Sequence, residues 1–188
     1  GDWIKSKDFC YWKHAPVELD GKTLGIFGYG SIGSRVESIA KAFGMRTIVC
    51  TRTPNPLIEN PVDAEQLFKQ SDFLTLHAPL TEATRGIVNE KNISLMKETA
   101  VIINTARGAL VDENAVRKAL DTGRIAGYAA DVVSEEPMKA DNPLLGAPNC
   151  LLTPHIAWAA TETRQRLLDI VIANIRCFIA GCPQNVVS

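Results

Sequence analysis

Along the 188 residues, short apolar runs of strand length alternate with longer stretches in which apolar residues recur every three or four positions. The runs lie at 23–27, 46–50, 73–76, 101–104, 125–131 and 151–153. They are continuous rather than alternating, the pattern of strands covered on both faces. Helices are predicted between them at 34–43, 64–70, 90–96 and 113–121, with a long final helix over 161–180. Val36, Ile39, Ala40 and Phe43 fall on one helical face, as do Ala115, Val116, Ala119 and Leu120. Asp112 suits an N-cap, and Gly123 stands where a helix should stop. Strand–helix alternation of this kind builds βαβ units, so the expected fold is α/β, a doubly wound parallel sheet. The final helix is apolar at Leu167, Leu168, Val171, Ile172, Ile175, Phe178 and Ile179. Residues 1–20 carry no strand signal but hold Trp3, Phe9, Tyr11 and Trp12, so this segment is expected to pack against something, such as a partner chain.

Composition narrows the classes. Twenty Lys and Arg against 21 Asp and Glu leave a net charge of -1, which gives no basic field for nucleic acid or an anionic membrane. With 46% hydrophobic and 22% charged residues, the chain can build a core, and global disorder is excluded. Its longest apolar stretches, such as Ala100-Val101-Ile102-Ile103, are far too short to span a membrane. The five cysteines are odd in number and form no Cys-x-x-Cys pair. That argues against a disulfide framework or a metal site and points to a reducing cytoplasm. No secretory signal is legible, and the opening Gly1-Asp2 reads as a fragment or a processed chain.

The first chemical signal is Gly28-Tyr29-Gly30-Ser31-Ile32-Gly33, which follows a predicted strand and opens a predicted helix. Glycines at these spacings allow a tight turn and close backbone approach to a pyrophosphate, which the helix N-terminus then meets with free N–H groups. In this context the motif reads as dinucleotide binding rather than a plain turn. An acid near the end of the second strand would bind the adenosine ribose and favour NAD; the chain instead has Thr51 and Arg52 there. The cofactor is therefore NAD or NADP, and Arg52 leans the reading to NADP(H), unless that arginine is simply a solvated charge.

Further polar sets follow the C-terminal ends of the later strands, where open α/β sheets place their ligand crevice. They are His77-Ala78-Pro79-Leu80-Thr81 with Thr84, Asn104-Thr105-Ala106-Arg107-Gly108, Asp131 through Glu136-Pro137, and Pro154-His155-Ile156-Ala157-Trp158. An Arg, a Glu and a His converging there suit reduction of a 2-keto acid. The Arg grips the carboxylate and polarises the carbonyl; the His exchanges the hydroxyl proton; the Glu orients the His and favours its protonated form.

Taken together, these five motifs resemble the D-isomer-specific 2-hydroxyacid dehydrogenase family over essentially the whole chain, and within it the glycerate dehydrogenase/hydroxypyruvate reductase branch. The resemblance implies a Rossmann fold over residues 1–188 and a catalytic set of Arg107, Glu136 and His155. It implies that Asp131 contacts the nicotinamide carboxamide and that residues around His77 and Thr105 border the cofactor. The cofactor-binding set expected from loop and resemblance together is Gly28, Tyr29, Gly30, Ser31, Ile32, Gly33, Thr51, Arg52, His77, Ala78, Pro79, Thr84, Thr105, Ala106, Arg107, Asp131, His155 and Ala157. Family members carry an N-terminal substrate lobe of about 100 residues, within the usual size of a domain, and no counterpart is legible before Gly21. The chain is thus expected to be the cofactor domain without that lobe and inactive alone. Residues 1–20 would be a packing or homodimer segment, and 161–180 a helix that contacts the lobe.

Plainer readings stand beside these. His77 can equally be a loop histidine that shapes its turn, and His14 a surface residue. Glu135 competes with Glu136, which is preferred because it directly precedes proline. Trp158 can pack or can shape a substrate pocket. The same fold and triad also occur in dehydrogenase-like corepressors that sense nucleotide, an alternative disfavoured because no extra peptide-binding segment is visible.

Overall fold

The computed structural model describes residues 1–187. Its centre is a six-stranded sheet, all parallel, made of β1 (Thr23–Phe27), β2 (Arg46–Cys50), β3 (Phe73–Leu76), β4 (Val101–Asn104), β5 (Gly127–Ala130) and β6 (Cys150–Leu152). The spatial order is β2-β1-β3-β4-β5-β6. The helices are α1 (Ser31–Ala42), α2 (Ala64–Gln70), α3 (Glu90–Ile93), α4 (Glu113–Asp121) and α5 (Thr161–Ile179). The doubly wound parallel sheet expected from the alternation is present. Because the order reverses between β1 and β3, the connections leave their C-terminal ends in opposite directions and open a crevice there.

The core lies on both faces of the sheet. Ile48, Leu74, Leu76, Ile102 and Tyr128 join Leu67, Phe68, Val116 and Leu120 on one side. Leu24, Ile26 and Val49 pack with Ala40 and Met45 on the other. This double covering is why the strands read as unbroken apolar runs. Asp112 caps α4 as expected, accepting from the N–H groups of Asn114 and Ala115, and Gly123 follows it with φ +69°.

Several boundaries and faces differ from the sequence expectation. Helix α1 begins at Ser31, three residues earlier, because the glycine turn leads straight into it. Its proposed apolar face splits: Ala40 is buried, whereas Ile39 and Phe43 are 51% and 61% exposed. Helix α3 is a single turn, β5 is shorter than its apolar run at both ends, and β6 starts one residue earlier. No residue of α5 is buried, so none of its apolar positions is used by the core of this domain. The first twenty residues form no strand, only a 3-10 turn at Trp3–Lys5, and Trp3, Phe9 and Trp12 are more than 60% exposed.

Candidate active site

The glycine turn occupies the C-terminal end of β1, at the crevice. Gly28 has φ +94°, and a Cβ there would meet Ala78 N at 2.6 Å and His77 C at 2.7 Å, so only glycine lets the two crossing loops touch. Gly30 differs: nothing lies within 4 Å of where its Cβ would be. Gly30 is also the N-cap of α1 and supplies no side-chain cap, so the first N–H groups of that helix face an open cradle. A negatively charged pyrophosphate fits such a cradle.

Beyond the cradle, a cleft of about 450 Å³ is lined by Gly28, Tyr29, Gly30, Thr51, Arg52, His77, Ala78, Pro79 and Thr84, all of them expected cofactor contacts. Phe27, Cys50, Thr53, Thr81, Ala83 and Ile87 also line it and had not been picked out. Thr53 and Thr81 continue polar motifs already noted, but the apolar lining gives no signal distinct from ordinary core. Arg52 is exposed and makes no ion pair among the described residues. His77 is partly buried, and burial holds its imidazole below the ordinary value, with the Thr75 hydroxyl 3.0 Å from Nε2. Tyr29 donates to Glu37 at 2.5 Å, and that bond is the chief reason its phenol titrates above the usual range.

A second cleft, of about 570 Å³, lies at the ends of β5 and β6 and is lined by Asp131, Glu136 and His155 among others. Met138 and Leu152 in its wall are additions that the motifs did not mark. His155 Nδ1 lies 2.6 Å from Glu136 Oε2. The other carboxylate oxygen of Glu136 accepts from Val133 N–H at 3.1 Å. The bond to His155 is the chief reason Glu136 is held below the ordinary carboxylate value; Val133 and the charge of Arg107 act in the same direction, against some desolvation. Arg107 rises from the turn after β4, exposed, with Nη1 donating to Ala106 O at 2.6 Å. Glu135 points elsewhere, into an exposed ion pair with Lys139 at 2.7 Å.

Asp131 is buried under the turn that carries His155. Its Oδ1 accepts from Thr153 Oγ1 at 2.5 Å and Ile156 N at 2.9 Å, and Oδ2 accepts from Ala157 N at 2.8 Å. His155 itself has φ +53°, a left-handed conformation that is uncommon outside glycine. Asp131 holds the two following N–H groups, and the Trp158 indole donates to His155 O at 2.8 Å, so the turn is pinned from both sides. This anchoring is not legible in the sequence. Ser31, Ile32 and Gly33 lie in the first turn of α1 beside the first cleft, and Thr105 and Ala106 directly precede Arg107; none of these six, nor Ala157, lines either cleft. Among the described residues, no group of three or more His, Cys, Asp or Glu is placed to hold a metal, and no helix is long and apolar enough to cross a membrane.

The chain is similar to known proteins in sequence and in fold. The family model for "D-isomer specific 2-hydroxyacid dehydrogenase, NAD binding domain" matches residues 1–157. A hydroxypyruvate reductase of Blautia hydrogenotrophica is 46% identical over all of this chain and 60% of its own length. A glycerate dehydrogenase of Methylorubrum extorquens is 45% identical over all of this chain and 59% of its own length. The chain thus spans about 60% of the length of these curated relatives. Among solved structures, an acyclic imino acid reductase in complex with NADPH and D-Arg superposes with a TM-score of 0.85 at 36% identity, covering all of this chain and 61% of that one.

Proposed function

Since the chain belongs to the D-isomer specific 2-hydroxyacid dehydrogenase family, in its NAD binding domain, we propose that it serves an enzyme moving a hydride between NAD(P)H and a small 2-keto or 2-hydroxy acid such as hydroxypyruvate or glyoxylate. The observation that carries this reading is the 2.6 Å pairing of His155 with Glu136, on loops that leave the sheet at the same end as the glycine cradle. When bound, the nicotinamide supplies or accepts the hydride. His155 exchanges the hydroxyl proton through Nε2, because Nδ1 is committed to Glu136. Glu136, lowered chiefly by that same bond, stays ionised at neutral pH and balances the imidazolium. Arg107 grips the substrate carboxylate with its planar fork, which among the described residues is engaged only by Ala106 O. Asp131 keeps the His155 turn in place and would help to hold the carboxamide of a bound nicotinamide.

The remaining parts follow from exposure. Arg52, flanked by Thr51 and Thr53 with no carboxylate at the end of β2, favours NADP(H) by offering a cation and two hydroxyls to a 2′-phosphate. Residues 1–20 form a homodimer contact, which gives their exposed aromatics a partner. Residues 161–180 pack on a substrate lobe within the remaining length of the enzyme. Five free cysteines fit a reducing cytoplasm. Steady-state assay of the complete enzyme with hydroxypyruvate, glyoxylate and pyruvate, each with NADH and NADPH, tests the reading: turnover of none of the three would overturn it. Arg52→Asp is expected to move the ratio of kcat/KM values toward NADH, and an unchanged ratio would return Arg52 to the status of a surface charge.

A further inference from the structure

Glu113 is a buried carboxylate that the chemistry above does not use. It stands in the first turn of α4, directly after the N-cap Asp112, and is only 7% exposed. It has no ion-pair partner among the described residues. Instead it is satisfied by three donors from the loop after β5: Ser134 N at 2.6 Å and Ser134 Oγ at 2.7 Å, with Asn142 Nδ2 at 3.0 Å. A carboxylate taken out of water without such donors would be strongly unfavourable, so donors and acceptor hold each other in place.

The position of that clamp matters. Ser134 follows Val133, whose N–H binds Glu136, and Glu136 is two residues beyond Ser134. On its other side the same stretch is pressed against the turn that carries Arg107: a Cβ on Gly108 would collide with the backbone of Val133 and Ser134. We propose that Glu113 is a positioning residue for the Glu136–His155 pair, fixing the loop from which Glu136 reaches His155 and keeping that loop in register with the Arg107 turn. The inference rests on the reading of Glu136 and His155 as a working pair. The far end of the loop has its own anchor, because Arg117 Nη1 donates to Pro143 O at 2.8 Å and Leu145 O at 3.1 Å. Loss of Glu113 should therefore free the Glu136 end without detaching the loop.

The test uses the 188-residue chain with nitrogen-15 in its three histidines. The ring-nitrogen resonances of His155 report its bond to Glu136, and those of His14 and His77 serve as internal references. Glu136→Gln defines the displacement expected when the carboxylate is gone. Glu113→Ala should displace the His155 resonances in the same direction and leave the other two histidines in place. Glu113→Gln, which keeps an acceptor for Ser134 N–H, should displace them less. A folded Glu113→Ala chain, judged by its near-ultraviolet circular dichroism, whose His155 resonances superimpose on wild type would overturn the proposal. If Glu113→Ala does not fold, Ser134→Ala decides: it removes only the hydroxyl bond to Glu113 and leaves α4 intact, so a small displacement supports the proposal and none overturns it. Silence of His155 in Glu136→Gln would sink the pair itself and this inference with it. A positive result here alongside failed turnover assays would instead sink only the assigned activity.

Discussion

A histidine in a left-handed turn, bonded through one ring nitrogen to a carboxylate in the wall of a cleft, is an unusual thing to stabilise. Its backbone is held by Asp131 below and Trp158 beside it. Its role makes a direct prediction for the complete enzyme: His155→Ala should lower kcat on the order of 10²–10⁴-fold, the range for loss of a positioned acid. Near-normal turnover with cofactor affinity intact would remove it from the mechanism. Asp131 makes a second prediction, on stability. Burial pushes its carboxyl up, but donation from Thr153, Ile156 and Ala157 outweighs this and holds it below the ordinary value. A group lowered in the folded state contributes stability above its unfolded value, about 3.9. That contribution is lost as pH falls through the folded value. Asp131→Asn should thus destabilise the domain by roughly 1–3 kcal/mol near pH 6. In urea titrations the gap from wild type should close on acidification below about pH 4; a gap independent of pH would show that charge is not what the N–H groups require.

Within the β1–α1 element, two glycines two residues apart do different jobs. Gly28 needs positive φ and sits against the backbone of His77 and Ala78, whereas Gly30 has extended backbone and open space around it. Gly28→Ala should therefore unfold more easily, by about 1–3 kcal/mol for the strained backbone alone, whether or not cofactor is present. Gly30→Val should keep wild-type stability and lose cofactor affinity, because its side chain would fill only the cradle. Calorimetric titration of the folded Gly30→Val chain with NADPH and NADH checks this, and unchanged affinity would exclude the turn as the pyrophosphate site.

For the molecule as a whole, the unexplained surface is apolar. Trp3, Phe9 and Trp12 near the amino end, Ile39 and Phe43 on α1, and Phe178 and Ile179 on α5 are all at least half exposed. Patches of this kind mark association surfaces. The chain is expected to be dimeric by light scattering at tens of micromolar, where even a modest interface is populated. Replacing Trp3 and Trp12 together by Ser should shift it toward monomer. A monomeric mass for the unmodified chain would show that residues 1–20 are not a self-association surface.

Much of this architecture could be read from the chain alone, because it follows from local rules. Continuous apolar runs such as Ile102-Ile103 require a sheet covered on both faces. A carboxylate at Asp112 caps whatever helix follows it, and glycines at 28, 30 and 33 leave a turn little else to be. The strand ends also put Arg107, Glu136 and His155 on one edge without any knowledge of distances. What the sequence could not supply depends on contacts between residues far apart along it. The exposure of Ile39 and Phe43 on α1 was settled by which surfaces meet. Asp131 bonds to residues 22–26 positions away, and Glu113 to residues 21–29 positions away. An acid in a strand-end or helix-start pattern looks the same whether it faces solvent or holds a distant loop. Only the packing of β5, β6 and α4 brings those donors within reach, and so only the tertiary structure decides it.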